Sequence, residues 1–270
     1  MLVGKRNMSG VVDKGSGTPI VLIPGLQGRW EWMRPTVDAL AKHHRVITFS
    51  LCDERTSPFP CDTAKAFENY VEQVDLALDR ADLDKAVIAG VSYGALIATE
   101  FAARHPQRVA GLVLANALHK TWHPNSQQRR FLMAPRLMSP LFVATAPRRM
   151  RPEMTASFPT LASRLRFTVT YGLNVITALA SPSKMARRIE WATSHHFADL
   201  HGVRVPALIV TGEANLDHVV PVEVTRRYLE ELRSAEHVVL KRTGHNGLVT
   251  KPEEFAGVLG RFVDGVRLSA

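Results

Sequence analysis

Short apolar runs alternating with helical patterns constrain this chain more than any other feature. The runs are Pro19–Ile23, Arg45–Phe49, 85–89, 109–114, 207–210 and 237–240, all rich in β-branched residues and apolar at consecutive positions. A strand that is apolar on both faces must be covered on both, as in a buried parallel sheet. Helical patterns over 33–41, 66–81, 95–104, 222–232 and 252–266 separate them. This alternation puts the chain in the α/β class, with a mostly parallel, doubly wound sheet and helices on both faces. The turn Lys14-Gly15-Ser16-Gly17, between Gly10-Val11-Val12-Asp13 and Pro19–Ile23, predicts a hairpin-like antiparallel edge.

Residues 118–200 break that rhythm. They contain many Pro and Arg residues and no clear strand, with helical spacing at 161–179 and 185–197. The chain of 270 residues has a formal net charge of +9. Between Lys120 and Asp199 stand twelve basic and three acidic residues, so this segment holds the whole excess. The expectation is a helical basic cap over 118–200, with the core formed by 1–117 and 201–270. Phe131, Leu132, Met133, Met138 and Phe142 are expected to form cap core rather than a lipid anchor. The arginines are either a solvated face or a site for anionic substrates or acidic membranes. No nucleic-acid motif accompanies the charge.

The other bulk features exclude more than they assign. Cys52 and Cys61 are too few for a disulfide framework and are expected to be reduced. No apolar stretch reaches membrane-spanning length. The first residues lack the apolar core of a secretory signal, so a cytoplasmic protein is expected. Adjacent His195 and His196 are wrongly spaced for two ligands on one helix face, and no metal or cofactor is expected.

Gly90-Val91-Ser92-Tyr93-Gly94 lies where a strand should turn into a helix. A G-x-S-x-G pattern arises by chance in roughly one chain in ten of this length, so its placement carries the weight. A serine at the tip of so sharp a turn needs neighbours without Cβ, and a helix N-terminus there favours developing negative charge. Serine needs an adjacent base. Thr243-Gly244-His245-Asn246-Gly247 follows the last strand, and Asp217 follows the strand before it. Both loops fall at the same sheet edge as Ser92. Ser92 and Asp217 could instead be helix caps, and His245 a surface loop residue. Pro24-Gly25-Leu26-Gln27-Gly28 follows an early strand. There the Leu26 N–H, with that of Tyr93, is a candidate oxyanion donor. Trp30 and Trp32 read as packing residues or as part of an acyl pocket.

Taken together, these residues resemble the α/β-hydrolase superfamily from about Thr18 to Val263, with the chain order Ser92, Asp217, His245. The resemblance implies a serine nucleophile, a histidine base and a carboxylate that orients it. It also implies a helical cap between strands 6 and 7. Pro24-Gly25 replaces the usual His-Gly, and Leu51-Cys52-Asp53-Glu54 replaces a common Gly-rich turn, with acids that can shape substrate choice. Glu213 remains an alternative to Asp217. The implied reaction is cleavage of an ester, thioester or lactone of a small acyl substrate, either neutral or anionic. Carbon–carbon bond hydrolysis on the same triad, or slow-turnover ligand sensing, are the alternatives. The oligomeric state is not legible.

Overall fold

A computed structural model describes residues 10–266, apart from the side chains of Gln127, Ser139, Phe142 and Val143. The expectations for the N-terminal residues before Gly10 and for Phe142 fall outside these described residues. Seven strands form one sheet: β1 (Val11–Lys14), β2 (Pro19–Ile23), β3 (Arg45–Phe49), β4 (Ala86–Val91), β5 (Val109–Ala115), β6 (Ala207–Thr211) and β7 (Ala235–Val239). Their spatial order is β1-β3-β2-β4-β5-β6-β7. All pairs are parallel except β1 with β3. The antiparallel edge is therefore present, but β1 pairs with β3 rather than forming a hairpin with β2.

The helices are α1 (Arg34–Leu40), α2 (Glu68–Arg80), α3 (Tyr93–Arg104), α4 (Ser126–Met133), α5 (Pro135–Ser157), α6 (Leu161–Thr177), α7 (Pro182–Thr193), α8 (Val222–Arg226), α9 (Tyr228–Glu231), α10 (Gly247–Thr250) and α11 (Pro252–Gly265). The strand period of two explains the doubly apolar runs. Val21, Ile23, Ile47 and Ile88 enter one core with α2 and α3. Ile20, Leu22, Val46 and Val87 enter the other with α1 and α11. Because β2 and β4–β7 run parallel, the loops that follow them emerge at one edge.

Helices α4–α7 fall between β5 and β6, not between a sixth and a seventh strand. Only one strand precedes β2 among the described residues, which moves the insertion one strand earlier. α4 and α5 go beyond the helical spacing read from sequence. α5 holds Pro140, Pro147 and Pro152 inside it, and interior prolines erase the helical signal. The expected cap core is only partly realised: Phe131, Leu132 and Met138 are half-buried, but Met133 is exposed.

Candidate active site

Ser92 joins β4 to α3 with φ 52° and ψ −114°. A side chain in this region costs about 1–3 kcal/mol and persists only where its surroundings impose it. Two glycines make the turn possible. A Cβ on Gly90 would stand 2.6 Å from Ala95 Cα, and one on Gly94 would stand 2.6 Å from the carbonyl oxygens of Ile23 and Pro24. The turn is thus wedged between its own helix and the end of β2. A Cβ on Gly25 would lie 3.5 Å from Ser92 Cβ, so the loop carrying Leu26 abuts the serine.

His245 Nε2 lies 3.2 Å from Ser92 Oγ, and His245 Nδ1 lies 3.1 Å from Asp217 Oδ2. The backbone N–H groups of Val219 and Val220 donate to Asp217 Oδ1 at 2.9 and 3.0 Å. This fixes the carboxylate and leaves Oδ2 for the ring. Burial raises the Asp217 pKa, but the His245 charge and hydrogen bond and the two backbone donors outweigh it, and the net shift is downward. Burial opposes charge on His245, but the Asp217 carboxylate and, more weakly, Glu153 hold the ring above the ordinary histidine value. A hydroxyl, an imidazole and a carboxylate in this line can take a proton off serine and hold it. Glu213 is turned elsewhere: its Oε1 accepts from the Arg242 N–H at 3.0 Å.

The sequence reading missed three residues that hold this geometry. Asn116, just past β5, has φ 44°. Its Nδ2 donates to the His245 carbonyl at 2.9 Å and its Oδ1 accepts from the Gly212 N–H at 3.0 Å, tying the His245 loop to the Asp217 loop. An asparagine at a strand end, tolerant of positive φ, was the available signal. Glu153, on α5 and only 3% exposed, accepts from the Asn246 N–H at 2.9 Å and from Asn246 Nδ2 at 3.0 Å. Burial pushes its carboxyl up, and the Asn246 and Gly244 donors only partly offset this. Arg188, on α7 and 0% exposed, donates to the Leu26 carbonyl at 2.8 Å, to Asp53 at 2.7 Å and to Glu54 at 2.5 Å.

The acids of the 51–54 turn therefore meet the inserted helices. Asp53 also pairs with Arg187 at 3.3 Å and Glu54 with Lys184 at 2.9 Å. Trp32 Nε1 donates to the Ala178 carbonyl at 2.8 Å, and Trp30 packs against the core. His195 pairs with Glu100 at 3.2 Å and packs on Phe67, which is a structural role. Cys52 is buried, Cys61 is half-buried, and both are free.

A family profile described as alpha/beta hydrolase fold matches residues 18–252. The chain is 26% identical over 259 residues to 2-hydroxy-6-oxo-2,4-heptadienoate hydrolase from Pseudomonas putida, covering 86% of this chain and 84% of that one. Among solved structures, an esterase from Exiguobacterium antarcticum superposes with a TM-score of 0.75 at 19% identity, covering 94% of this chain and 95% of that one. The enol-lactonase from Burkholderia xenovorans LB400 superposes with a TM-score of 0.73 at 20% identity, covering 94% and 95%. At these identities the two structures establish likeness of fold.

Proposed function

The chain belongs to the α/β-hydrolase fold family, and on that premise we propose that it is a serine hydrolase cleaving a carboxylic ester, thioester or lactone through an acyl-enzyme. The observation that carries this reading is the unbroken line Ser92–His245–Asp217, with contacts of 3.2 and 3.1 Å. With Asp217 ionised, His245 carries its proton on Nδ1 and leaves Nε2 free to accept from Ser92. Ser92 Oγ attacks the carbonyl carbon as His245 takes its proton. The oxyanion forms between the backbone N–H groups of Leu26 and Tyr93. The intermediate collapses, and His245 passes the proton to the departing alcohol or thiol. Water then attacks the acyl carbon by the same route, and Ser92 is regenerated with release of the acid.

We read residues 118–200 as a cap over this site and 1–117 with 201–270 as the core. Lid contacts at Leu26, Trp32 and Asn246 support that division, because each lies on or beside a loop of the site. The free cysteines fit a reducing compartment such as the cytoplasm.

A second reading is hydrolysis of a carbon–carbon bond beside a ketone. The likeness to the Pseudomonas putida hydrolase favours it, since the compound in that protein's name contains no ester or amide to cleave. The test is labelling with a fluorophosphonate probe. Wild type is expected to label and Ser92→Ala not to. A folded wild type that does not label would remove the activated serine, and both hydrolytic readings with it. If labelling succeeds, an ester and thioester panel beside a vinylogous diketone separates the two.

A further inference from the structure

Nine of the twelve large hydrophobic side chains exposed among the described residues lie between Met133 and Leu179. On α6, Leu161, Leu165, Val169, Leu173 and Ile176 are 58–79% exposed. Their spacing of three and four residues lays them along one side of the helix. The opposite side holds Phe167 and Tyr171, which pack on the core. The Tyr171 hydroxyl also donates to the Trp32 carbonyl at 2.9 Å. This helix is therefore apolar on the side it does not bury. On α5, Leu137 and Leu141 are exposed, and the exposed Arg148 and Arg151 continue the same side two turns later.

The charge of these helices is one-sided. Residues 126–177 contain eight arginines, no lysine and a single carboxylate, Glu153. That carboxylate is buried against Asn246. The exposed sides of α4–α6 thus present apolar side chains together with Arg129, Arg130, Arg136, Arg148, Arg151 and Arg166, and this segment supplies no exposed carboxylate.

We propose that this face of α4–α6 rests on an anionic lipid surface, with the α6 stripe at the headgroup–acyl boundary and the arginines on lipid phosphates. An apolar stripe flanked by arginine matches that boundary in both polarity and charge. A second copy of the chain would bring two arginine faces together with no acid between them. Nucleic acid would leave the stripe in water. No helix among the described residues is long and apolar enough to cross a membrane, so the contact is peripheral.

The experiment is flotation of the full chain with phosphatidylglycerol vesicles and with pure phosphatidylcholine vesicles, at low and raised salt. The expected result is binding to the anionic vesicles alone, weakened by salt. Replacing Arg148→Gln with Arg151→Gln is expected to weaken it about thirtyfold, at about 1 kcal/mol per basic residue. The pair Leu165→Ser and Leu173→Ser is expected to weaken it about tenfold or more. Thermal unfolding serves as the check that both variants fold. Absence of binding to anionic vesicles, equal binding to neutral ones, or variants that bind like wild type would each overturn the proposal. So would a dimer in sedimentation velocity that the leucine pair dissociates, which assigns the stripe to a second copy. Flotation does not depend on Ser92, so its failure leaves the hydrolase reading untouched.

Discussion

Ser92 and Asp217 follow β4 and β6, strands buried on both faces, and His245 follows the half-exposed edge strand β7, whereas α4–α6 are held down mainly at a few points such as Glu153, Phe167 and Tyr171. The loops at the sheet edge press backbone against backbone: a Cβ on Gly212 would meet the Thr243 carbonyl at 2.6 Å, and one on Gly244 the Leu216 carbonyl carbon at 2.6 Å. The inserted helices reach the core through the buried polar anchors Arg188 and Glu153 and through Ile189, Trp191 and Ala192 of α7, while α5 and α6 leave leucines in solvent. The contrast separates two tasks. Proton transfer needs positions fixed to a fraction of an ångström. On the proposed reading of 118–200 as a cap, the inserted helices need attachment and freedom to open.

That contrast breaks most sharply at the serine. Ser92→Ala is expected to lower kcat about 10⁶-fold in steady-state assays while leaving urea unfolding nearly unchanged. Next is Asp217→Asn, expected to cost about 10⁴-fold in kcat. It also changes the pH profile. His245 must be neutral to accept a proton, and its pKa in the fold lies above the ordinary value. The rate of wild type should therefore rise with pH through that raised value, and the variant's rising limb should move to lower pH. A limb that stays in place would mean that Asp217 does not set the charge of the ring. The same shift has a stability consequence. The contribution of protonated His245 is complete below its unfolded pKa and is lost as pH rises through the folded one.

The anchors should give smaller, different effects. Arg188→Met leaves Asp53 and Glu54 buried with only Arg187 and Lys184. A loss of about 3 kcal/mol in urea unfolding is expected, the low end for breaking a buried pair. Glu153→Gln keeps an acceptor for Asn246 but removes the charge. We expect kcat/KM to fall about tenfold, or roughly 1.4 kcal/mol, and the His245 limb to move down slightly. A purely structural Glu153 would lower stability without moving that limb. At the other extreme, Leu165→Ser should change stability by less than about 0.5 kcal/mol, because its side chain is mostly in solvent.

The sheet was legible because burial on both faces writes itself into consecutive apolar residues, as in Ile20-Val21-Leu22-Ile23. The Ser92 turn was legible because only glycine fits at Gly90 and Gly94. The parallel order then required the loops bearing Asp217 and His245 to share an edge with it. The sequence favoured Asp217 as the acid that meets the histidine but left Glu213, four residues earlier in the same loop, as an alternative. The choice depends on where the Val219 and Val220 N–H groups point. The roles of Asn116, Glu153 and Arg188 were hidden, because their partners lie 129, 93 and 135 residues away in the chain. Sequence alone determined what local sterics and periodic burial impose: the α/β sheet, the strained serine and the basic insertion. Tertiary structure decided the rest, because pairing between distant loops and helices depends on packing geometry that no local pattern encodes.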